Sequence, residues 1–149
     1  MVFLNTEDLR DGEIALRLER TAQADPEKRF VPAYYFQIRR VADDVQVGVC
    51  DLRIGNTERL YFGGNIGYTV YEAYRGNHYA GKACLLLLRL ARRHELPYLH
   101  ITCRPENTAS RRTCEYAGGQ LQCTAKLPTD NDLYFEKHER EVCVYYFEL

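Results

Sequence analysis

Hydrophobic and polar residues alternate in several stretches of the first half of the chain, the pattern of half-buried β-strands. The stretches with this alternation, or with many aromatic and β-branched residues, are 14–18, 34–40, 45–54 and 61–70. The first is short, so a helix remains an alternative there. Asp43-Asp44 marks a turn that would join the second and third strands in a hairpin. The polar segment 21–32, which contains two prolines, predicts a loop.

The second half of the chain carries apolar residues at helical spacing. One helical face consists of Ala80, Cys84, Leu87, Leu88 and Ala91. This face predicts a helix over residues 79–94 that packs on a sheet. Asn107 is a good N-cap for a second helix, which should end at Gly118-Gly119 because glycine favours a left-handed C-cap. Short apolar runs predict strands at 98–103, 121–126 and 142–149, with a polar connection over 128–138.

This order of elements, strands followed by β-α-β-α-β-β, indicates one α/β (α+β) domain over residues 1–149 with a mixed sheet. The chain has 149 residues, of which 46% are hydrophobic, so a sizeable core can be buried. Twenty basic and 21 acidic residues give a net charge of -1, which argues against a nucleic-acid partner. No apolar run is long enough to span a membrane, and residues 1–10 lack the layout of a secretory signal. We therefore expect a cytoplasmic protein.

The six cysteines of the chain are Cys50, Cys84, Cys103, Cys114, Cys123 and Cys143. None of them forms a C-x-x-C pair, so we expect no metal site. In a reducing compartment they should be free thiols, most of them buried. Their number alone leaves a thiol-based redox sensor as one alternative function.

The segment Tyr-Arg-Gly-Asn-His-Tyr-Ala-Gly, residues 74–81, joins a predicted strand to a predicted helix. A tight turn into a helix N-terminus directs several backbone N–H groups at one point, and the helix dipole adds partial positive charge there. Such a turn can bind a pyrophosphate through its backbone. The segment contains neither G-x-G-x-x-G nor G-K-[ST], so it is neither a Rossmann nor a P-loop motif. By itself such a segment is more often an ordinary strand-to-helix turn.

Residues 65–76 nevertheless resemble the acetyl-CoA motif of the GNAT superfamily of N-acetyltransferases. The turn of that family has the pattern Q/R-x-x-G-x-G/A, and residues 75–80 of this chain are R-G-N-H-Y-A. A second block, residues 105–112 with Gly118 beyond it, is similar to the family's N-x-x-S helix. The likeness covers roughly residues 61–119. It implies a mixed, mostly antiparallel central sheet with splayed middle strands and flanking helices.

The resemblance also implies acetyl-CoA as co-substrate and transfer of its acetyl group, by direct attack, to a primary amine of a small molecule or a protein. The pantetheine arm of the cofactor would lie between the splayed strands. The positions that match cofactor-binding residues are Tyr68, Val70, Arg75, Gly76, Asn77, His78, Tyr79, Ala80, Gly81, Asn107 and Ser110. Segments 21–32 and 128–138 are expected to shape the pocket of the amine-bearing acceptor. The oligomeric state, a homodimer included, stays open.

Three positions depart from the family pattern. His78 replaces the first glycine of the turn, so either the turn is remodelled or His78 is left-handed. Cys114 stands where related enzymes carry a tyrosine as general acid, and Thr102 where some carry a glutamate base. Because Cys114 shares a helix face with Asn107 and Ser110, it is the candidate catalytic proton donor, and a role in packing alone is the alternative. Without the usual acid and base, a catalytically silent acyl-CoA-binding module is an alternative function.

Overall fold

A computed structural model describes residues 1–131, 133–134, 138 and 140–149 of the chain. The strands in this part are β1 (Ile14–Ala22), β2 (Ala33–Arg40), β3 (Val45–Arg53), β4 (Ile66–Val70), β5 (Tyr98–Cys103), β6 (Gln120–Lys126) and β7 (Glu141–Glu148). The helices are α1 (Glu58–Gly63), α2 (Tyr79–Arg93) and α3 (Thr108–Tyr116). A single 3₁₀ turn, Glu72–Tyr74, lies between β4 and α2. The predicted alternation of strands and helices in the second half is confirmed.

The predicted strand over residues 61–70 is wrong in its first part, because residues 61–63 belong to α1. Thr57 caps this short helix by accepting a hydrogen bond from the N–H of Leu60, and Gly64 ends it with a φ of 80°. The aromatic residues that suggested a strand are therefore helical. Of the predicted strand, only residues 66–70 form a β-strand.

Smaller differences concern the ends of elements. β1 continues to Ala22, into the segment predicted as a loop, because its pairing with β2 extends to the Ala22–Ala33 pair. The helix predicted over 79–94 ends at Arg93, with His94 as its C-cap. The last helical residue of α3 is Tyr116, and Gly118 just beyond the C-cap has the left-handed φ, 94°, expected of a glycine that ends a helix. Of the polar connection predicted over 128–138, residues 132 and 135–137 lie outside the described residues.

Two antiparallel sheets form the framework, one in the order β1-β2-β3-β4 and the other in the order β5-β7-β6. Alternate residues of β2 face the core, and Tyr34, Phe36 and Ile38 are each at most 1% exposed. α2 packs against this core through Cys84, Leu87 and other residues of its predicted apolar face. The sheets with their covering helices give the expected α/β fold class. The described strands differ from the expected single mixed sheet, because all their ladders are antiparallel and β4 and β5 share no ladder.

The described residues contain no helix that is both long and apolar enough to cross a membrane. Within the same part of the chain, no three or more His, Cys, Asp or Glu side chains gather in a way that could hold a metal ion. All six cysteines are free thiols, and four of them are buried.

Candidate functional site

β4 and β5 meet at one end of the gap between the two sheets, which we call the closed end. Asn65, which is 1% exposed, joins the two strands there. Its backbone N–H donates to the carbonyl of His100 at 2.7 Å, and its side-chain Oδ1 accepts from the N–H of His100 at 3.0 Å. Its Nδ2 donates to the carbonyls of Arg53 and Gly55. One asparagine thus ties β5 to the edge of the first sheet.

Glycine and threonine complete the closed end. A Cβ on Gly64 would lie 3.1 Å from the backbone nitrogen of Thr102, and the φ of Gly64 is 80°, so this close approach of two backbones favours glycine. The Thr102 hydroxyl donates to the carbonyl of Phe62 at 2.8 Å. Thr102, which stands at the position of a glutamate in some relatives, therefore fixes α1 to β5.

Beyond Asn65 the two strands separate, and we call this the open end of the gap. In the described sheets β4 forms a ladder with β3 only, and β5 with β7 only. The facing edges of β4 and β5 are therefore not joined by a ladder between Ile66 and Val70. Val70 and Cys103, the last residues of their strands, are both partly exposed. An extended ligand could form hydrogen bonds with such a strand edge.

The turn after β4 contains two residues with a positive φ. Gly76 has a φ of 94°, and His78 has a φ of 59° and a ψ of 22°. Of the two alternatives for His78, the left-handed conformation is therefore confirmed. The imidazole stacks on the ring of Tyr116, with ring centres 4.7 Å apart. The side chains of Arg75 and Asn77 fold back onto the backbone carbonyls of Val70 and Tyr74, at 3.0 and 3.2 Å.

The N-terminus of α2 fits an anionic group. Within the described chain no side chain caps it, and its first turn contains no acidic residue. By contrast, Thr57 caps α1 and Asn107 caps α3. The first N–H groups of a helix have no acceptor within the helix, so those of residues 79–81 are suited to a phosphate.

Gly81 allows α2 and α3 to approach each other. A Cβ at this position would overlap the ring of Tyr116. The sequence singled out Gly81 for backbone approach to a ligand, but the structure gives a packing reason. Tyr79 is buried and Ala80 is partly buried, so both contribute backbone rather than side chain to this surface.

The α3 side of the open end brings three predicted residues together. The Oδ1 of Asn107 accepts from the N–H of Ser110 at 3.1 Å, which confirms Asn107 as the N-cap. The hydroxyl of Ser110 lies 2.5 Å from the hydroxyl of Tyr68 on β4. The contact between Tyr68 and Ser110 was missed, because the sequence suggested only a backbone role for Tyr68.

Cys114 is 0% exposed. A hydrogen bond with the Cys103 thiol, together with burial, raises the pKa of Cys114 well above that of an ordinary thiol. The same contact with Cys114 has the opposite effect on Cys103, whose pKa is lowered to about 7 with help from Ser110 and Arg111. Cys103 therefore ionises first. Sequence reasoning missed Cys103, and its only signal was its place at the end of a strand beside the gap.

Comparison with known proteins agrees with this fold. The profile of the acetyltransferase (GNAT) domain matches residues 3–120. No curated protein matches the sequence. Among solved structures, the GNAT-family acetyltransferase from Bacillus anthracis superposes with a TM-score of 0.60 at 20% identity, covering 76% of this chain and 65% of that one.

Two further structures show the same fold. An acetyl transferase from Salmonella typhimurium, which modifies the N-terminal serine of ribosomal protein L7/L12, has a TM-score of 0.58 at 21% identity over 78% of this chain and 64% of that one. The microcin C7 self-immunity acetyltransferase, solved with acetyl-CoA and AMP, has a TM-score of 0.59 at 16% identity over 78% and 61%. The present chain thus spans less than two thirds of the length of these three structures.

Proposed function

Because this chain belongs to the GNAT family of acetyltransferases, we propose that it transfers the acetyl group of acetyl-CoA to a primary amine of a small molecule or a protein. The observation that carries the proposal is the combination of two features. The gap between β4 and β5 is open toward Val70 and Cys103, and the uncapped N-terminus of α2 follows β4 along the chain. Together they suit a ligand with a flexible arm and a pyrophosphate.

Acetyl-CoA would occupy both features at once. Its pyrophosphate would bind the backbone N–H groups of residues 77–81, where the helix dipole favours negative charge. Its pantetheine arm would extend along β4 between Tyr68 and Val70, with Asn107 and Ser110 above it. Arg75 would stand between the two regions, since its guanidinium already contacts the Val70 carbonyl.

The chemical step would be direct attack by a neutral amine on the thioester carbonyl. The nitrogen–carbon bond forms, the carbon–sulfur bond breaks, and the sulfur leaves with the electron pair as a thiolate. A backbone N–H group on the edge of β4 would stabilise the oxyanion of the tetrahedral intermediate. Most of the rate would come from holding amine and thioester in line.

The acceptor would approach from the far side of the open end. A cavity of about 510 Å³ lies there between the β5–α3 connection and the β6–β7 connection. Its lining includes Arg104, Glu106, Lys126 and Tyr134. The cavity supports the expectation that the β6–β7 connection shapes the acceptor pocket. Its mixed charges are compatible with a polar amine rather than a purely apolar one.

The test is to incubate the protein with acetyl-CoA and a panel of primary amines and peptides, and to measure released coenzyme A and acetylated amine by chromatography and mass spectrometry. We expect release that depends on one class of amine. Binding of coenzyme A without release for any amine would favour a catalytically silent module. No binding, together with reversible thiol oxidation, would contradict the proposal and favour a redox sensor.

A further inference from the structure

His78 departs from the family pattern at a position where a side chain costs free energy. The pattern has glycine there, and a left-handed residue with a Cβ carries strain that glycine avoids. His78 is left-handed, with a φ of 59°, and among the described residues its imidazole does not cap α2. An imidazole that neither relaxes the turn nor caps the helix needs another role.

The imidazole forms an exposed stack with Tyr116, the last residue of α3. The two ring centres are 4.7 Å apart, and the ring planes differ by only 10°. Tyr116 is 43% exposed, and His78 is exposed as well. Because Tyr116 covers one face of the imidazole, the exposed surface of His78 lies on the opposite face and along the ring edge. The pair therefore presents a flat aromatic surface beside the N-terminus of α2.

Packing against α2 fixes the position of the Tyr116 ring. Gly81 in the first turn of α2 leaves the space that the ring occupies, since a Cβ at this position would overlap Cδ1 and Cε1 of Tyr116. The ring thus contacts α2 at its edge and His78 at its face. A surface that is already held in place loses little conformational freedom when a ligand binds to it.

A planar base joined to a pyrophosphate fits this surface. In coenzyme A a single ribose joins adenine to the pyrophosphate, so the base must lie within one ribose of the turn that would bind the phosphates. His78 belongs to that turn. Bases stack on aromatic side chains through their π-faces, and this stacking requires no particular pattern of hydrogen bonds. The stacked pair and the turn can therefore bind two neighbouring parts of one ligand.

We propose that the adenine of coenzyme A stacks on the free face of His78, with Tyr116 behind it as a positioning residue. The proposal rests on the proposed function, because it concerns the acetyl donor of that reaction. The stack makes the site selective for acyl groups carried on coenzyme A over those carried on a phosphopantetheine arm without adenine. A chain with the glycine of the family pattern has no ring at this position, so the contact follows from His78 itself.

The experiment compares the affinities of coenzyme A and of 4′-phosphopantetheine, which lacks the adenosine, by calorimetry. His78→Gly removes the ring but permits the left-handed turn, so it separates stacking from the shape of the turn. It should lower the affinity for coenzyme A about 5- to 100-fold, the range for stacking a base on an aromatic side chain. The affinity for 4′-phosphopantetheine should stay unchanged. Tyr116→Ala should also weaken the binding of coenzyme A, but by no more than His78→Gly does.

Tyr71→Ala is the matched control, because Tyr71 is 40% exposed and precedes the same turn. It should leave both affinities unchanged. In the wild-type complex, NMR should show nuclear Overhauser effects between the adenine protons H2 and H8 and the ring protons of His78.

Equal coenzyme A affinities in wild type and His78→Gly would overturn the inference while leaving the proposed function intact. An equal fall for both ligands in His78→Gly would overturn it too, since the ring would then only shape the turn. The same holds for an equal loss in Tyr71→Ala, or for saturating coenzyme A without those Overhauser effects. Failure of the wild-type protein to bind coenzyme A would contradict the proposed function itself.

Discussion

The two ends of the gap between β4 and β5 are built in opposite ways. At the closed end, Asn65 satisfies its backbone and side-chain groups through hydrogen bonds with three residues, Arg53, Gly55 and His100. At the open end, the described strands β4 and β5 share no ladder, and the hydroxyl of Tyr68 on β4 contacts that of Ser110 on α3. The closed end therefore contributes to stability, whereas the open end leaves backbone groups available to a ligand. A protein can keep strand edges unpaired at a site only if neighbouring groups hold the strands in place.

Removing Asn65 should have the largest effect on the fold. Asn65→Ala deletes three side-chain hydrogen bonds in a site that is 1% exposed. At about 1 kcal/mol each, the loss in free energy of unfolding should be about 3 kcal/mol, measured by denaturant unfolding. The control Asn56→Ala changes an exposed residue and should cost no more than about 0.5 kcal/mol. Equal losses in the two variants would show that Asn65 does not hold the closed end.

Gly81→Ala should have the next largest effect, at the α2 side of the open end. Its Cβ would overlap the Tyr116 ring, and overpacking of this kind costs about 1–3 kcal/mol. Coenzyme A affinity, measured by calorimetry, should fall as well, because α2 must shift. The control Gly63→Ala places its Cβ in open space and should lower neither stability nor coenzyme A affinity. If Tyr116→Ala in the same chain does not relieve part of the loss, the packing explanation is wrong.

Cys114→Ala separates packing from chemistry at the open end. Because Cys114 is fully buried, we expect a loss of about 1 kcal/mol in stability and unchanged turnover per folded molecule. A general acid at this position would instead lower kcat by about 10²–10⁴-fold. The measurements are denaturant unfolding and coenzyme A release with the best amine of the panel. A loss of rate in that range would restore Cys114 as the proton donor suggested by the sequence.

Alkylation of Cys103 should report the pH dependence of the open end. Since its pKa is lowered to about 7, alkylation by iodoacetamide should be half-maximal near that pH and rise above it as the thiolate forms. Ordinary thiols reach this point at about pH 8.5. Cys114→Ala removes the first cause of the lowered pKa and should move the midpoint upward. Peptide mass spectrometry locates the label, and a midpoint unchanged by the substitution would contradict the coupling of the two thiols.

Hydrophobic periodicity predicted the framework of strands and helices well, because burying one face of each element requires that periodicity. α2 follows its apolar face, β5 has the predicted bounds, and Asn107 caps α3. Residues 61–63 were misassigned because aromatic residues favour strands on average, whereas the Thr57 cap and the Gly64 terminator decide the local structure. Pattern alone does not show that one N-cap and one glycine outweigh the strand preference of two aromatic residues.

Sequence patterns predicted the parts of the site that depend on backbone turns and helix caps. The left-handed conformation of His78 is one of the two alternatives that its place in the turn left open. The roles of Asn65 and the Tyr68 hydroxyl depend on contacts with His100 and Ser110, which are 35 and 42 positions away in the chain. The role of Cys103 depends on contacts between β5 and α3. No local pattern encodes such contacts. They became visible only once the two sheets were placed side by side.

The central claim is that the arm of coenzyme A occupies the open end of the gap, and protection of Cys103 tests it most directly. The alkylation rate of Cys103 is measured by mass spectrometry as coenzyme A is added, with the partly buried Cys123 on β6 as internal control. The account predicts that the rate at Cys103 falls in proportion to the bound fraction while the rate at Cys123 does not change. An unchanged rate at Cys103 with saturating coenzyme A would contradict it.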